Sequence, residues 1–263
     1  MNKTLVMKFG GASVAAPENF AAIASLIAHR KKEYNRIIVV VSAMGDTTDQ
    51  LIALAKQVHP NPPKREYDML ITVGERISIS LLAMALSLQG QEAASFTGSQ
   101  TGIITCPKHS DARIIDIRPH RILPHLELGK IVIIAGFQGV SQGGEITTLG
   151  RGGSDTSAVA IAIALNAEKV EFFKDVEGIF SEDPKINSNA KLYSALTYDE
   201  ALEIASTGAE ILHSRCILLA KKNELPLHIR SFNHSIAFRE GTHICNGNKI
   251  KTSLVPSFEE AAL

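Results

Sequence analysis

Residues 148 to 158, Thr-Leu-Gly-Arg-Gly-Gly-Ser-Asp-Thr-Ser-Ala, place three glycines, one arginine and several short hydroxyl or carboxylate side chains just ahead of a small-residue stretch. The small residues that follow predict a helix from Ser154 to Leu165. A helix N-terminus leaves backbone N–H groups unpaired and carries a partial positive charge, which suits a phosphate or a carboxylate. Gly152 and Gly153 remove the side chains that would hold a ligand off the backbone. Arg151 can fork onto a carboxylate through two parallel hydrogen bonds. An ordinary loop with a Ser or Asp helix cap would explain Ser154 or Asp155. It would leave the arginine and both glycines unexplained, so the stretch reads as an anion site.

Outward from this stretch, apolar β-rich runs alternate with helical ones, the pattern of a mostly parallel sheet covered on both faces. Strands are expected at Thr4 to Phe9, Arg36 to Ser42, Glu92 to Phe96, Thr101 to Thr105, Ile131 to Phe137, Lys169 to Phe173 and Leu227 to Arg230, with a hairpin over 139 to 148. Helices are expected from Pro17, through Leu51, Leu54 and Val58, over Glu75 to Leu88 as a buried element, and over about Ala209 to Lys222. Thr197 and Glu200 form a capping-box pattern that starts another helix. The fold class is therefore α/β, an αβα sandwich.

Bulk properties narrow the function. Lys plus Arg and Asp plus Glu both number 27 in 263 residues, so no global field draws nucleic acid or an anionic membrane. No apolar run is expected to reach the ~20 residues of a membrane span, and the N-terminus reads as a strand, not a leader. A cytoplasmic protein with neither membrane nor nucleic-acid partner is expected. Cys106, Cys216 and Cys245 are too few and too scattered for a disulfide framework or a zinc site. The nine histidines form no zinc-type pair. Asp46 and Asp49 read as turn or cap residues, so no protein-held metal is expected.

Several candidate residues follow strand ends, where an open parallel sheet forms its ligand crevice. Lys8 ends the first strand, with Gly10 and Gly11 beyond it; Ser42 follows the second, with Thr47 and Thr48 after it. Arg151, Ser154 and Asp155 come from the glycine-rich stretch, and Lys174 and Asp175 follow another strand. The chain has neither a P-loop nor a complete dinucleotide fingerprint.

Six segments in order, Lys8-Phe-Gly-Gly-Ala-Ser-Val14, Val41-Ser-Ala-Met-Gly-Asp-Thr-Thr-Asp49, Gly74-Glu-Arg76, Ser95-Phe-Thr-Gly-Ser-Gln100, Gly136-Phe-Gln-Gly139 and Thr148 to Thr156, resemble the catalytic domain of the aspartokinase family, in the amino acid kinase superfamily. The resemblance covers about residues 3 to 232. It implies a catalytic domain over 1–232, the amino acid kinase fold, and the reaction of ATP with L-aspartate to give ADP and 4-phospho-L-aspartate, with magnesium. That step opens the lysine, threonine, methionine and diaminopimelate routes.

By the same resemblance Lys8 would contact the transferred phosphoryl group, Gly10 and Gly11 would donate amides to it, and Asp155 would orient the lysine. Arg151 would clamp a substrate carboxylate and Glu75 would receive the ammonium. Ser42, Thr47, Thr48 and Ser154 would help hold the amino acid. Gly152, Gly153 and Ser154, with Lys174, Asp175, Phe180, Asp183, Lys185 and Glu210, would line the nucleotide side. His213, in an Ile-Leu-His stretch, reads as structural.

The chain also departs from the family's pattern. Glu210 stands where the family usually has a lysine that reaches the ATP phosphates. Lys174 replaces a threonine, Phe180 a tyrosine, Lys185 an arginine, and Ala12 a Thr or Ser. A reversed charge facing phosphate should cost more than the ~10²- to 10³-fold of one lost donor. Lys174 either pairs with Glu210 or supplies the missing charge itself. Related amino acid kinases of altered substrate or weak turnover, and a non-catalytic protein binding ATP or an amino acid, therefore stay open. Residues 233–263 resemble the linker to regulatory ACT modules but are too few to form one, so inhibition by lysine or threonine through this chain is not expected. The family's habit implies a homodimer.

Overall fold

In a computed structural model, residues 3–182, 184, 186–187, 189–206, 211–233, 239–246 and 256–260 are described; Asp183, Lys185 and Glu210 lie outside them. In chain order the elements are β1 (Thr4–Phe9), α1 (Asn19–Arg30), β2 (Arg36–Val41), α2 (Thr47–Val58), α3 (Lys64–Ile71), α4 (Val73–Leu88), β3 (Ala93–Phe96), α5 (Gly98–Thr101), β4 (Ile103–Thr105) and β5 (Ile114–Ile117). Then come α6 (Leu123–Glu127), β6 (Ile131–Ala135), β7 (Gln138–Ser141), β8 (Ile146–Thr148), α7 (Gly153–Ala164), β9 (Lys169–Lys174), β10 (Ala195–Leu196), α8 (Tyr198–Ser206), α9 (Ser214–Lys222), β11 (Leu227–Ser231) and β12 (Thr242–Ile244).

Among the described residues the main sheet has eight strands in the order β10-β12-β11-β9-β1-β2-β6-β3. All its pairings are parallel except β11 with β12. Its central strands are buried on both faces, hence their unbroken apolar sequence. A second sheet, β5-β4-β7-β8, has four strands.

Side-chain alternation along a strand sorts the core into two layers. Leu5, Met7 and Phe9 of β1 pack with Phe20, Ile23 and Ile27 of α1 and with Ile79, Leu82 and Leu86 of α4. Val6 faces the other side, with Ala158 and Ile161 of α7 and Ile217 of α9. The same parity turns Lys8 toward α7. On β9, Val170 and Phe172 face α7 while Phe173 faces α1, so Lys174 also lies on the α7 side. Two lysines on adjacent strands thus meet the first turn of one helix.

Helix α7 is buried along nearly its whole length, which requires small or apolar residues and satisfied hydroxyls. Thr156 and Ser157 donate to the carbonyls of Gly152 and Gly153 at 3.1 and 2.9 Å. The Ser157 hydroxyl in turn accepts the Phe137 N–H at 3.1 Å and ties the link between β6 and β7 to the helix.

Several expectations need correction. Residues 98 to 101 form a helical turn, not the start of a strand, because Thr97 and Gln100 make a reciprocal capping box. Helix α4 is only half buried: Ile77, Met84 and Leu88 are exposed on its outer face. Lys64–Leu88, where α3 and α4 abut at Thr72, is long and apolar enough by composition to cross a membrane, against the reading of the sequence. The short helix α3, directly after Pro60, Pro62 and Pro63, is not among the expected elements, and it extends the run. Its inward side chains and those of α4 pack in this domain, as Ile71, Ile79 and Leu82 illustrate. Helix α9 begins at Ser214, after the non-helical residues 211–213, and the expected start at Ala209 lies outside the described residues. The Thr197–Glu200 box is present: the Glu200 N–H donates to the Thr197 hydroxyl at 3.2 Å, and the Thr197 N–H donates to the Glu200 carboxylate at 2.7 Å.

Candidate active site

The C-terminal ends of β1, β2, β6 and β9 point one way, and a cleft of about 690 Å³ opens beside them. Lys8, Gly11, Ser42, Thr48, Glu75, Arg151, Gly152, Gly153, Ser154 and Asp155 all line it. Residues from four separate stretches of sequence are therefore brought together. Lys174 joins them through Asp155. Thr47 opens α2, and Gly10 stands beside Lys8, where an added Cβ would lie 3.5 Å from Nζ. Neither is a wall of the cleft.

Asp175 is exposed and borders a separate cavity of about 300 Å³, with Ser13, Asn19 and Phe232. Phe180 is half-buried and bridges to Leu192. Asp46 is the N-cap position of α2, without a side-chain cap, and accepts from Gln50 at 3.0 Å. Asp49 lines the cleft from the first turn of that helix.

The electrostatic centre is Asp155. Its Oδ1 lies 2.6 Å from Lys8 Nζ and its Oδ2 3.1 Å from Lys174 Nζ. Burial alone would raise its pKa, but the two ammonium groups win and hold it down at about 2. Burial lowers the pKa of Lys8, and Lys174 pushes the same way; Asp155 opposes both. The cluster carries two positive charges and one negative, so it has a net cation to offer an anionic ligand. Lys174 thus pairs with Asp155 among the described residues.

Glu75 presents the opposite case. It is 2% exposed in the first turn of α4. One carboxylate oxygen accepts the Ala43 N–H at 3.2 Å, while Oε2 is buried without a hydrogen-bond partner. Burial raises its pKa to about 8. A carboxyl group aimed into a cleft with a lone pair unused is suited to an incoming cation.

The N-terminus of α7 completes the wall. Its N-cap is Gly152 in the left-handed region at φ 67°, and neither Ser154 nor Asp155. An added Cβ there would lie 2.3 Å from the Cβ of His213, so glycine is needed for both conformation and space. His213 itself caps α9, its Nδ1 accepting the Arg215 N–H at 3.3 Å.

Ile52, Tyr67, Ile71, Ser110 and Phe137 also line the cleft and were missed in the sequence. Phe137, at φ 69°, lies inside the Gly136-Phe-Gln-Gly139 segment already singled out, so its neighbours were a signal. Asp68, wholly buried beneath Ser110 and Thr148, had no local signal.

The sequence matches the model of the amino acid kinase family over residues 3–231. The chain belongs to that family. Aspartokinase of Mycobacterium tuberculosis (H37Rv) is 51% identical over 246 residues, 93% of this chain and 58% of the relative. Aspartokinase of Geobacillus stearothermophilus is 51% identical over 227 residues, 86% of this chain and 56% of the relative. The chain thus spans a little over half the length of these curated relatives. Aspartate kinase from Synechocystis superposes with a TM-score of 0.81 at 44% identity, over 94% of this chain and 40% of that one. E. coli aspartokinase III in complex with aspartate and ADP gives a TM-score of 0.83 at 26% identity, over 94% and 65% of the two chains. The UMP kinase of Bacillus anthracis, at 21% identity and a TM-score of 0.67, shares the fold alone.

Proposed function

We propose that this amino acid kinase transfers the γ-phosphoryl group of ATP to the side-chain carboxylate of L-aspartate, forming ADP and 4-phospho-L-aspartate. The observation that carries the reading is one cleft holding Asp155 between two lysines, a cluster of net positive charge, beside the unpaired buried carboxyl of Glu75. The first suits a phosphoryl group and the second an ammonium group. The aspartokinases similar to the chain favour aspartate as the acceptor.

In the proposed step a carboxylate oxygen attacks the γ-phosphorus, the new O–P bond forms, and the bond to the β,γ-bridging oxygen breaks. The acceptor is already ionised, so no general base is required. Asp155, held ionised by two lysines, serves as an orienting counter-charge. The work of the site is positioning and charge neutralisation. Lys8 contacts the moving phosphoryl group, and the backbone of Gly10, Gly11 and the α7 N-terminus at Gly152, Gly153 and Ser154 offers amides to the phosphates. Arg151 clamps the α-carboxylate, Glu75 takes the α-ammonium, and Ser42, Thr47 and Thr48 border the amino acid. Lys174 adds positive charge on the nucleotide side, to which the family resemblance also assigns Asp175, Phe180, Asp183, Lys185 and Glu210.

The described residues contain no group of three or more His, Cys, Asp or Glu side chains suited to a metal. With Asp155 engaged by two lysines, the described side chains do not fit a protein-held magnesium ion. In this reading the chain acts in the cytoplasm at the start of the aspartate-derived amino acid routes, as a homodimer.

The test is ADP release by the purified chain with ATP and, in turn, L-aspartate, L-glutamate and L-asparagine, with trapping of any acyl phosphate by hydroxylamine. ADP and hydroxamate in equal amounts with aspartate are expected. Equal rates with no amino acid present would overturn the reading.

A further inference from the structure

We propose that Asp68 and Arg215 form a two-sided bracket that positions the Arg151 turn, and that Glu259 sets the bracket's hold. This deepens the kinase reading and rests on it only for the consequence in substrate affinity.

Two loops border the cleft through Ser110 and through Gly150 and Arg151. They are joined to each other by the Ala112 N–H donating to the Thr148 carbonyl at 2.9 Å. Asp68, wholly buried on α3, takes the donors of both loops. Its carboxylate accepts the N–H groups of Ser110 and Thr148 at 3.0 and 3.1 Å, and their hydroxyls at 3.2 and 2.7 Å. His109 Nδ1 lies 2.9 Å away.

Arg215, on α9, takes the acceptors of the same loops. Its guanidinium donates to the carbonyl of Ala112 at 2.6 Å and to that of Leu149, two residues before Arg151. An anion thus gathers the amides and a cation gathers the carbonyls, each through charge-assisted bonds that are stronger than neutral ones.

The guanidinium is itself held by Glu259, which binds it through both carboxylate oxygens. Glu259 also accepts the Ile114 N–H at 2.9 Å and donates its own N–H to the Ile114 carbonyl at 3.0 Å. Residues 256–260 therefore reach the Arg151 turn through one side chain. None of these three charged residues touches a bound amino acid in the proposed arrangement; they act through Arg151 and are positioning residues.

The test compares the full chain with Arg215→Lys, Glu259→Gln and Asp68→Asn, measuring kcat, both KM values and hydrogen exchange at residues 149–153. In Arg215→Lys and Glu259→Gln the KM for aspartate should rise about tenfold, as expected when a clamp is displaced by a fraction of an ångström. The KM for ATP should stay within twofold, and exchange should quicken at 149–153 but not in β1. Parental exchange at the turn, or equal losses in both KM values with faster exchange throughout, would overturn the bracket. Glu259→Gln changes the 256–260 segment and neither helix, and it keeps the proposal falsifiable if the other variants fail to fold. A parent chain that turns over no amino acid would count against the kinase reading, and the exchange measurement would still decide the bracket.

Discussion

Lys8 Nζ lies 2.6 Å from Asp155 Oδ1, and both side chains are more than nine-tenths buried. The pair exists because side chains alternate along β1, which turns Lys8 away from Met7 and Phe9 and toward the first turn of α7. Desolvating two charges is costly and is offset only when the partners stay together. A buried lysine held this way is ready for an anion, since little reorganisation is needed when one arrives.

Replacing Asp155 by Asn should destabilise the fold by about 2 to 4 kcal/mol at neutral pH, because it leaves Lys8 buried without its counter-charge. The sign follows from a carboxyl whose pKa falls from 3.8 unfolded to about 2 folded. Its contribution is complete above the unfolded value and fades as pH drops through 2. Denaturant titrations of parent and variant should differ at pH 7 and converge near pH 2. Equal stability at pH 7 would refute the role given to the pair.

Glu75 behaves in the reverse sense. Its pKa of about 8, against 4.5 unfolded, means the native state binds the extra proton between those values. Stability therefore falls as pH rises through that window and levels off above it. Glu75→Gln should remove this slope and stabilise the chain by about 1 to 3 kcal/mol at pH 8. The same variant should weaken amino acid binding at least tenfold, about 1.4 kcal/mol. Calorimetry in buffers of different ionisation enthalpy should show a proton released when the parent binds aspartate at pH 7. No proton release would contradict the ammonium site.

Lys174 pairs with Asp155 at 3.1 Å; by the family resemblance it replaces a threonine, and Glu210 replaces a lysine expected to reach the ATP phosphates. Lys174→Thr should lower kcat by about 10² or more, the usual loss for one electrostatic donor. Adding Glu210→Lys to it should restore activity to within about tenfold of the parent, since the charge is returned. Full activity in Lys174→Thr alone would show that the lysine is dispensable.

Gly152→Ala probes the wall of the cleft. The residue sits at φ 67°, and an added Cβ would lie 2.3 Å from the Cβ of His213, a backbone-near atom that cannot swing away. A loss of about 2 kcal/mol or more in stability is expected, with activity lost as α9 is pushed from α7. Thermal unfolding and turnover of the purified variant check both.

The sequence made the parallel core readable because strands buried on both faces need continuous apolar runs, as β1, β2 and β6 do. Parallel strands bring their C-terminal ends to one edge, which singles out Lys8 and Ser42, while the glycine-rich stretch singles out Arg151 and Asp155. Helix α3 was not readable, since Lys64-Arg-Glu-Tyr-Asp68 is polar and shows no apolar helical stripe. The burial of Asp68 depends on donors 42 and 80 residues away, which no local pattern records. Strands β4 and β8, three residues each, are too short to show alternation. The hold of Glu259 on Arg215 spans 44 residues and is equally invisible in the local sequence.

Phosphorus NMR of the chain mixed with ATP and L-aspartate follows both products in one sample. If the cleft holds the amino acid against the γ-phosphoryl group, an acyl phosphate should grow in step with ADP, and neither should form with Lys8→Met. ADP and free phosphate accumulating without any acyl phosphate, at a rate indifferent to aspartate, would show that no acceptor stands beside the nucleotide.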